Sequence, residues 1–159
     1  MFDNKKIRVV LLFLVFCIIW KTSYKFFTVD GDSMAESLVE GEKVLVDKGY
    51  YWFNEPERGD VVVFYDFESD NYLVKRIIGI PNDIVEIIEG IIFINNIPLD
   101  DEFSYMLVKN TEPYIEGNMY CNLSAFEVNE GEYWLIGDNR EETWMGKIKE
   151  EDIVGILKQ

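Results

Sequence analysis

No histidine occurs anywhere in the 159 residues, and that absence narrows the chemistry more than any other. A serine or cysteine nucleophile is usually activated by a neighbouring imidazole, so a serine–histidine–aspartate triad is excluded. Cysteine is nearly as scarce, with two in the chain: Cys17 in an apolar run near the start, and Cys121 far along. With no histidine and no C-x-x-C pair, a zinc site has no support, and no other cofactor is expected. Positive charge is short as well. There are 15 basic residues against 30 acidic ones, a net charge of −15. Five of the 15 (Lys5, Lys6, Arg8, Lys21 and Lys25) fall in the first 25 positions, which leaves 10 basic and 29 acidic residues beyond position 27. Such a surface repels nucleic-acid phosphates, so no nucleic-acid partner is expected, and the charge is read as a source of solubility. Repeats and low-complexity segments are also absent.

What is present suits one compact domain and an anchor: 48% of the residues are hydrophobic and 15% aromatic, enough for a real core. Residues 9–20, VVLLFLVFCIIW, are uninterrupted apolar positions, only about 18 Å as a helix against a hydrocarbon core of roughly 30 Å. Extended from Ile7 to Phe27, with Arg8, Lys21 and Lys25 reaching outward, the stretch spans. A cleaved signal peptide would share the basic start, but KTSYKFF after Trp20 has no pair of small residues for cleavage, which favours a retained anchor. The two cysteines then lie on either side of the membrane boundary, and no disulfide is expected between them.

From Phe26 the chain reads as β structure. FTVDGD enters a turn, SMAESL a short helical turn and EKVLVDK an alternating strand. Gly31, two positions before Ser33, is either a turn glycine or a place where substrate backbone approaches closely. The aromatic cluster YYWFNEP at residues 50–56 fits either a soluble core or a membrane interface. VVVF after Arg58-Gly59-Asp60 and YLVKRIIGI at residues 72–80 read as a buried hairpin. The acidic turn between them, with Asp66, Glu68 and Asp70, lacks the glycine and final glutamate of a calcium loop and is read as a solvated turn. Two short strands follow around Glu89-Gly90, with a turn at Asn95-Asn96. EYWLIGDNR gives a strand and turn, and IVGIL a last strand.

The candidate nucleophile is Ser33. Without histidine its base must be a lysine, a carboxylate or a terminal amine, and a lysine serves only when burial lowers its pKa. Lys75 is the outstanding candidate. Alternation puts Leu73, Lys75 and Ile77 on one face of a strand and Val74, Arg76 and Ile78 on the other, so Lys75 sits among apolar groups and Arg76 points away from it.

Four blocks in order carry a resemblance: VDGDSM with SLVEGEKVLVDK, RGDVVVF, YLVKRIIGIPNDIVEI, and YWLIGDNR. Together they resemble the bacterial type I signal peptidases, membrane-bound serine proteases with a Ser-Lys dyad. The resemblance implies a mostly β, signal-peptidase-like antiparallel catalytic domain at residues 28–159, with a variable insertion at about residues 90–130. Residues 1–27 would form a cytoplasmic tip and one transmembrane helix, with the domain on the extracytoplasmic side. The implied activity is removal of signal peptides from exported preproteins, with the preproteins and membrane lipid as partners and the oligomeric state left open. Ser33 would attack and Lys75 would accept its proton, while Thr143 matches a serine that orients the lysine. Gly31 stands where some members carry a second oxyanion donor. Asp138 and Asn139 match a GDN turn that places the loop, and Arg76 is a supporting charge partner.

Two departures accompany these matches. Where the family has x-P-T-L after the serine-methionine pair, this chain has Ala35, Glu36, Ser37 and Leu38. Its last block lacks the aspartate-arginine pair that follows the orienting serine, and Trp144 stands where apolar area could refill the shortened loop. A non-catalytic assembly factor for pilus subunits, derived from a peptidase, is therefore the alternative.

Overall fold

The computed structural model describes residues 4–35, 37–99, 122–140 and 144–158, with helix residues 4 and 15–21 described by backbone alone. A helix, α1 (Asn4–Ser23), opens the chain and runs straight into strand β1 (Tyr24–Thr28). The helix ends before Phe27 because Tyr24 through Thr28 each pair with a residue of β2 (Lys43–Asp47). Among the described residues, no helix is long and apolar enough to cross a membrane.

The rest is antiparallel β structure. β3 (Val61–Asp66) and β4 (Asn71–Gly79) form the expected hairpin, with Val62 opposite Lys75 and Val61 opposite Arg76. Its turn is the solvated one foreseen: the Asp66 carboxylate accepts Ser69 Oγ–H at 2.6 Å and the Ser69 N–H at 3.1 Å. β5 (Ile84–Ile88), β6 (Ile91–Ile94), β7 (Ile97–Pro98) and β8 (Leu123–Glu127) make a four-stranded sheet in the order β7-β6-β5-β8. The turns expected at Glu89-Gly90 and Asn95-Asn96 join its strands, and all four of these residues take positive φ.

β9 (Glu132–Ile136), β10 (Met145–Lys149) and β11 (Ile153–Leu157) complete a seven-stranded sheet, ordered β1-β2-β11-β3-β4-β9-β10. The last strand in sequence therefore lies between β2 and β3, and β4 lies well inside the sheet.

Alternation along these strands divides the core. Val61 and Val63 pack with Val29, Met34, Leu38, Val44 and Val46. Val62 and Phe64 pack instead with Ile77, Tyr133, Leu135 and Ile148. A third cluster joins the inner face of the small sheet, Val85, Ile87, Ile92 and Ile94, to Ile78, Trp134 and Ile136 of the large one. The small sheet is thus fastened to the end of β4 just past Lys75. Arg58 adds a polar tie there, donating from Nη2 to the buried Asp83 carboxylate at 2.9 Å.

Candidate active site

β4 carries Lys75 into the interior, where only 3% of its surface is exposed. Its Nζ donates to Ser33 Oγ at 2.7 Å and to the Val74 carbonyl at 2.9 Å, so residues 42 positions apart meet. Burial removes the ammonium from water and lowers its pKa from 10.5 to about 8, against an opposing attraction from the Asp138 carboxylate.

Ser33 sits on the turn that follows β1. Gly31 precedes it with φ +82°, a backbone state that side-chain-bearing residues rarely adopt. A methyl group there would meet nothing within 4 Å, so the glycine is required by the turn itself. Met34 and Leu38, both buried, root this turn in the core. The turn after β9 then clamps it. The Asn139 N–H donates to the Ser33 carbonyl at 3.0 Å, and Asn139 Nδ2 to the Asp32 carbonyl at 3.2 Å. The Asp138 N–H points at Met34 Sδ, 3.4 Å away.

Arg76 makes a charge pairing beside the site. Its neighbours Leu73 and Ile77 pack in one cluster and Val74 in another, as alternation requires. Arg76 Nε and Nη2 donate to the two Asp138 oxygens at 2.8 and 2.6 Å, and Nη2 also reaches Ser37 Oγ at 3.2 Å. Ser37 in turn donates to Asp138. Alternation sets where a Cβ points, but both arms are long, and the Lys75 arm folds back to its neighbour's carbonyl. Both cationic heads therefore converge on one turn.

Sequence reasoning missed Ser37 and Met34 as members of this network. The hydroxyl of Ser37 was a usable signal, because it stands where the related x-P-T-L block carries threonine. Thr143 lies outside the described residues. Trp144 packs on Phe64, ring centroids 5.2 Å apart, beside the cluster that holds Val62, Leu73 and Ile77.

Beside Ser33 and Lys75 opens a groove of about 290 Å³, walled by Phe27, Val29, Asp30, Tyr72 and Val74 among others. A hydroxyl in contact with a desolvated amine, at the edge of an open groove, is an arrangement suited to acyl transfer. The architecture is thus an antiparallel β framework that holds a serine hydroxyl against a buried lysine amine in a chain without histidine. The family model described as signal peptidase, peptidase S26, matches residues 4–158, and the chain belongs to that family.

Signal peptidase I U of Bacillus subtilis (strain 168) is 34% identical over 137 residues, covering 83% of this chain and 72% of that protein. Signal peptidase IB of Staphylococcus aureus (strain COL) is 32% identical over 160 residues, covering 94% and 83%. Among solved structures, a crystal structure of a signal peptidase I from Enterococcus faecalis V583 matches with a TM-score of 0.53 and 24% identity. It covers 66% of this chain and 98% of that one, a likeness that concerns the fold.

Proposed function

We propose that this chain is a membrane-anchored serine endopeptidase that removes signal peptides from exported preproteins through a Ser33–Lys75 dyad. The observation that carries the reading is the 2.7 Å contact between Lys75 Nζ and Ser33 Oγ, made by a lysine whose pKa is brought to about 8. In its neutral form the amine takes the hydroxyl proton as Oγ attacks the scissile carbonyl. That proton then passes to the leaving amine as the C–N bond breaks. Water, deprotonated by Lys75, hydrolyses the resulting ester and frees Ser33. The Ser33 backbone N–H is one oxyanion donor, and Gly31 offers no side-chain hydroxyl for a second.

Arg76, Asp138, Asn139 and Ser37 serve as positioning residues that hold the Ser33 turn against β4. Thr143 retains the hydroxyl needed to orient the lysine. Extended substrate lies along the groove and pairs its backbone with a strand edge.

In this reading α1 is the anchor and residues 28–159 form the extracytoplasmic domain, which includes the small sheet as an insertion. The support is the uninterrupted apolar run at residues 9–20 and the cluster of Lys5, Lys6 and Arg8 ahead of it. The alternative of a non-cutting assembly factor is not favoured: the relatives are peptidases by name, and the serine and lysine are both retained in contact.

The test is cleavage of a purified preprotein. Ser33→Ala and Lys75→Arg should each lower the rate by about a thousandfold or more, the arginine because a guanidinium does not deprotonate in a protein. Wild-type rates from Lys75→Arg would overturn the dyad. No cleavage by the wild type would return the alternative.

A further inference from the structure

Of the side chains that line the groove, only Asp30 and Lys75 are charged. When Lys75 is neutral, as the proposed reaction requires, Asp30 is left as the one formal charge there. Asp32 stands nearer to Ser33 in sequence but does not line the groove. Lys25 is engaged on the rings of the wall, with its ammonium 4.5 Å from the Phe27 ring centre and 5.2 Å from that of Tyr72. It does not line the groove either.

Asp30 is exposed, yet its backbone is held on both sides. Val29 before it is buried, and its N–H donates to the Glu42 carbonyl while its carbonyl accepts the Gly41 N–H, both at 2.9 Å. Gly31 after it is fixed at φ +82°. Among the described residues, the Asp30 carboxylate takes part in no hydrogen bond or ion pair. A carboxylate set on the wall of a concave site without a partner keeps its field for whatever enters. Its reach is bounded by the chain. Three steps of backbone to Ser33 span at most about 11 Å, and an extended substrate advances about 3.3 Å per residue. The carboxylate therefore lies alongside a substrate residue within about four positions of the scissile bond.

We propose that Asp30 gives the groove a charge preference: it favours a lysine or arginine at one substrate position close to the scissile bond and rejects an aspartate or glutamate there. Apolar walls sort side chains by size and have no means of telling one sign of charge from the other, so this selection falls to Asp30, by attraction and by repulsion together. The proposal deepens the reading of the chain as a signal-peptide peptidase and rests on it.

The experiment uses the full chain in detergent and one preprotein in which each residue within about four positions of the scissile bond is replaced singly by Lys, Gln or Glu. For the wild type, one position should show kcat/KM falling in the order Lys, Gln, Glu, with a span of about fivefold at low salt that narrows at high salt. Asp30→Asn should level that position, and Asp30→Lys should reverse its order. Each result is a ratio between substrates cut by one enzyme, so a variant of lower overall activity still reports. Glu40→Gln, which removes an equal charge from an exposed residue outside the groove, should keep the wild-type order. A preference that survives Asp30→Asn, or that Glu40→Gln also levels, overturns the proposal, because the acidity of the whole domain then makes the choice. Fluorescent peptides carrying the same Lys and Glu replacements, titrated onto Ser33→Ala with and without Asp30→Asn, separate this proposal from the one it rests on. Binding that prefers Lys through Asp30, with no cleavage by the wild type, refutes the peptidase and keeps the charge preference. Cleavage with no preference at any position refutes the charge preference alone.

Discussion

A lysine stripped of water holds its proton poorly, and burial puts Lys75 in that condition. Below a pH of about 8 the ammonium donates to Ser33 Oγ, and above it the free amine can accept the serine's proton. Cleavage should therefore rise with pH through an apparent pKa near 8, far below the usual lysine value of about 10.4. Asp138 works in the opposite direction by attracting the ammonium. Asp138→Asn should move the rising limb to lower pH and also reduce the maximal rate, because it removes the acceptor that holds Arg76 and Ser37. A rate profile measured from pH 5 to 10 for both proteins checks the sign, and an unmoved limb would remove Asp138 from the site's electrostatics. At this scale much was legible from sequence. The missing histidine forced attention onto a lysine, and a lysine in an apolar strand can hardly be anything ordinary. What stayed hidden was reach: the pattern of alternation says where a side chain starts, not where an arginine's head comes to rest.

Among the elements, β11 has the least room. A methyl group on Gly155 would lie 2.5 Å from the Asp47 carbonyl oxygen, a backbone atom that cannot move without disturbing β2. Gly155→Ala should thus destabilise the fold by about 1–3 kcal/mol through overpacking, seen as a lower denaturant midpoint, with cleavage by the surviving folded fraction unchanged. Strand identities were readable where apolar runs met turn residues: the β3–β4 hairpin, the pairs around Glu89-Gly90, and the strand before Gly137-Asp138-Asn139. β10 was not, since MGKIK alternates weakly and owes its extension to pairing with β9. The placement of β11 between β2 and β3 was equally unreadable, because the partners of a short apolar strand are chosen across the whole chain. The boundary of α1 was overrun for the same reason. Tyr24 to Phe27 suit the end of an apolar helix, and only pairing with β2 draws them into the sheet.

For the molecule as a whole, the same lysine predicts a dependence of stability on pH. Its folded pKa is about 8 and its unfolded value about 10.4, so folding expels a proton between those limits and stability rises with pH across the window. Lys75→Met removes that dependence. The variant should be more stable than wild type at pH 7, by at most about 3 kcal/mol, and the difference should shrink as the pH rises towards 10. Burial also raises the pKa of Tyr51 and takes Tyr133 to about 12, but both proteins share those groups and their effect cancels in the comparison. Unfolding by denaturant in detergent at several pH values measures the difference, and a variant no more stable than wild type at pH 7 would mean that Lys75 is not held in a dehydrated state.

The position of β11 also has a consequence in time. β2 leads from the serine's turn and β3 leads to the lysine's strand, yet β11 (Ile153–Leu157) is the strand that joins them in the sheet. During synthesis, a nascent chain that has emerged only as far as β10 has both reactive residues and the clamp, but no strand to close the gap between the two halves. Non-local pairing of this kind forms late. On the proposed reading, the site closes only when β11 has paired with both β2 and β3, so competence to cut arrives in one late step rather than piece by piece.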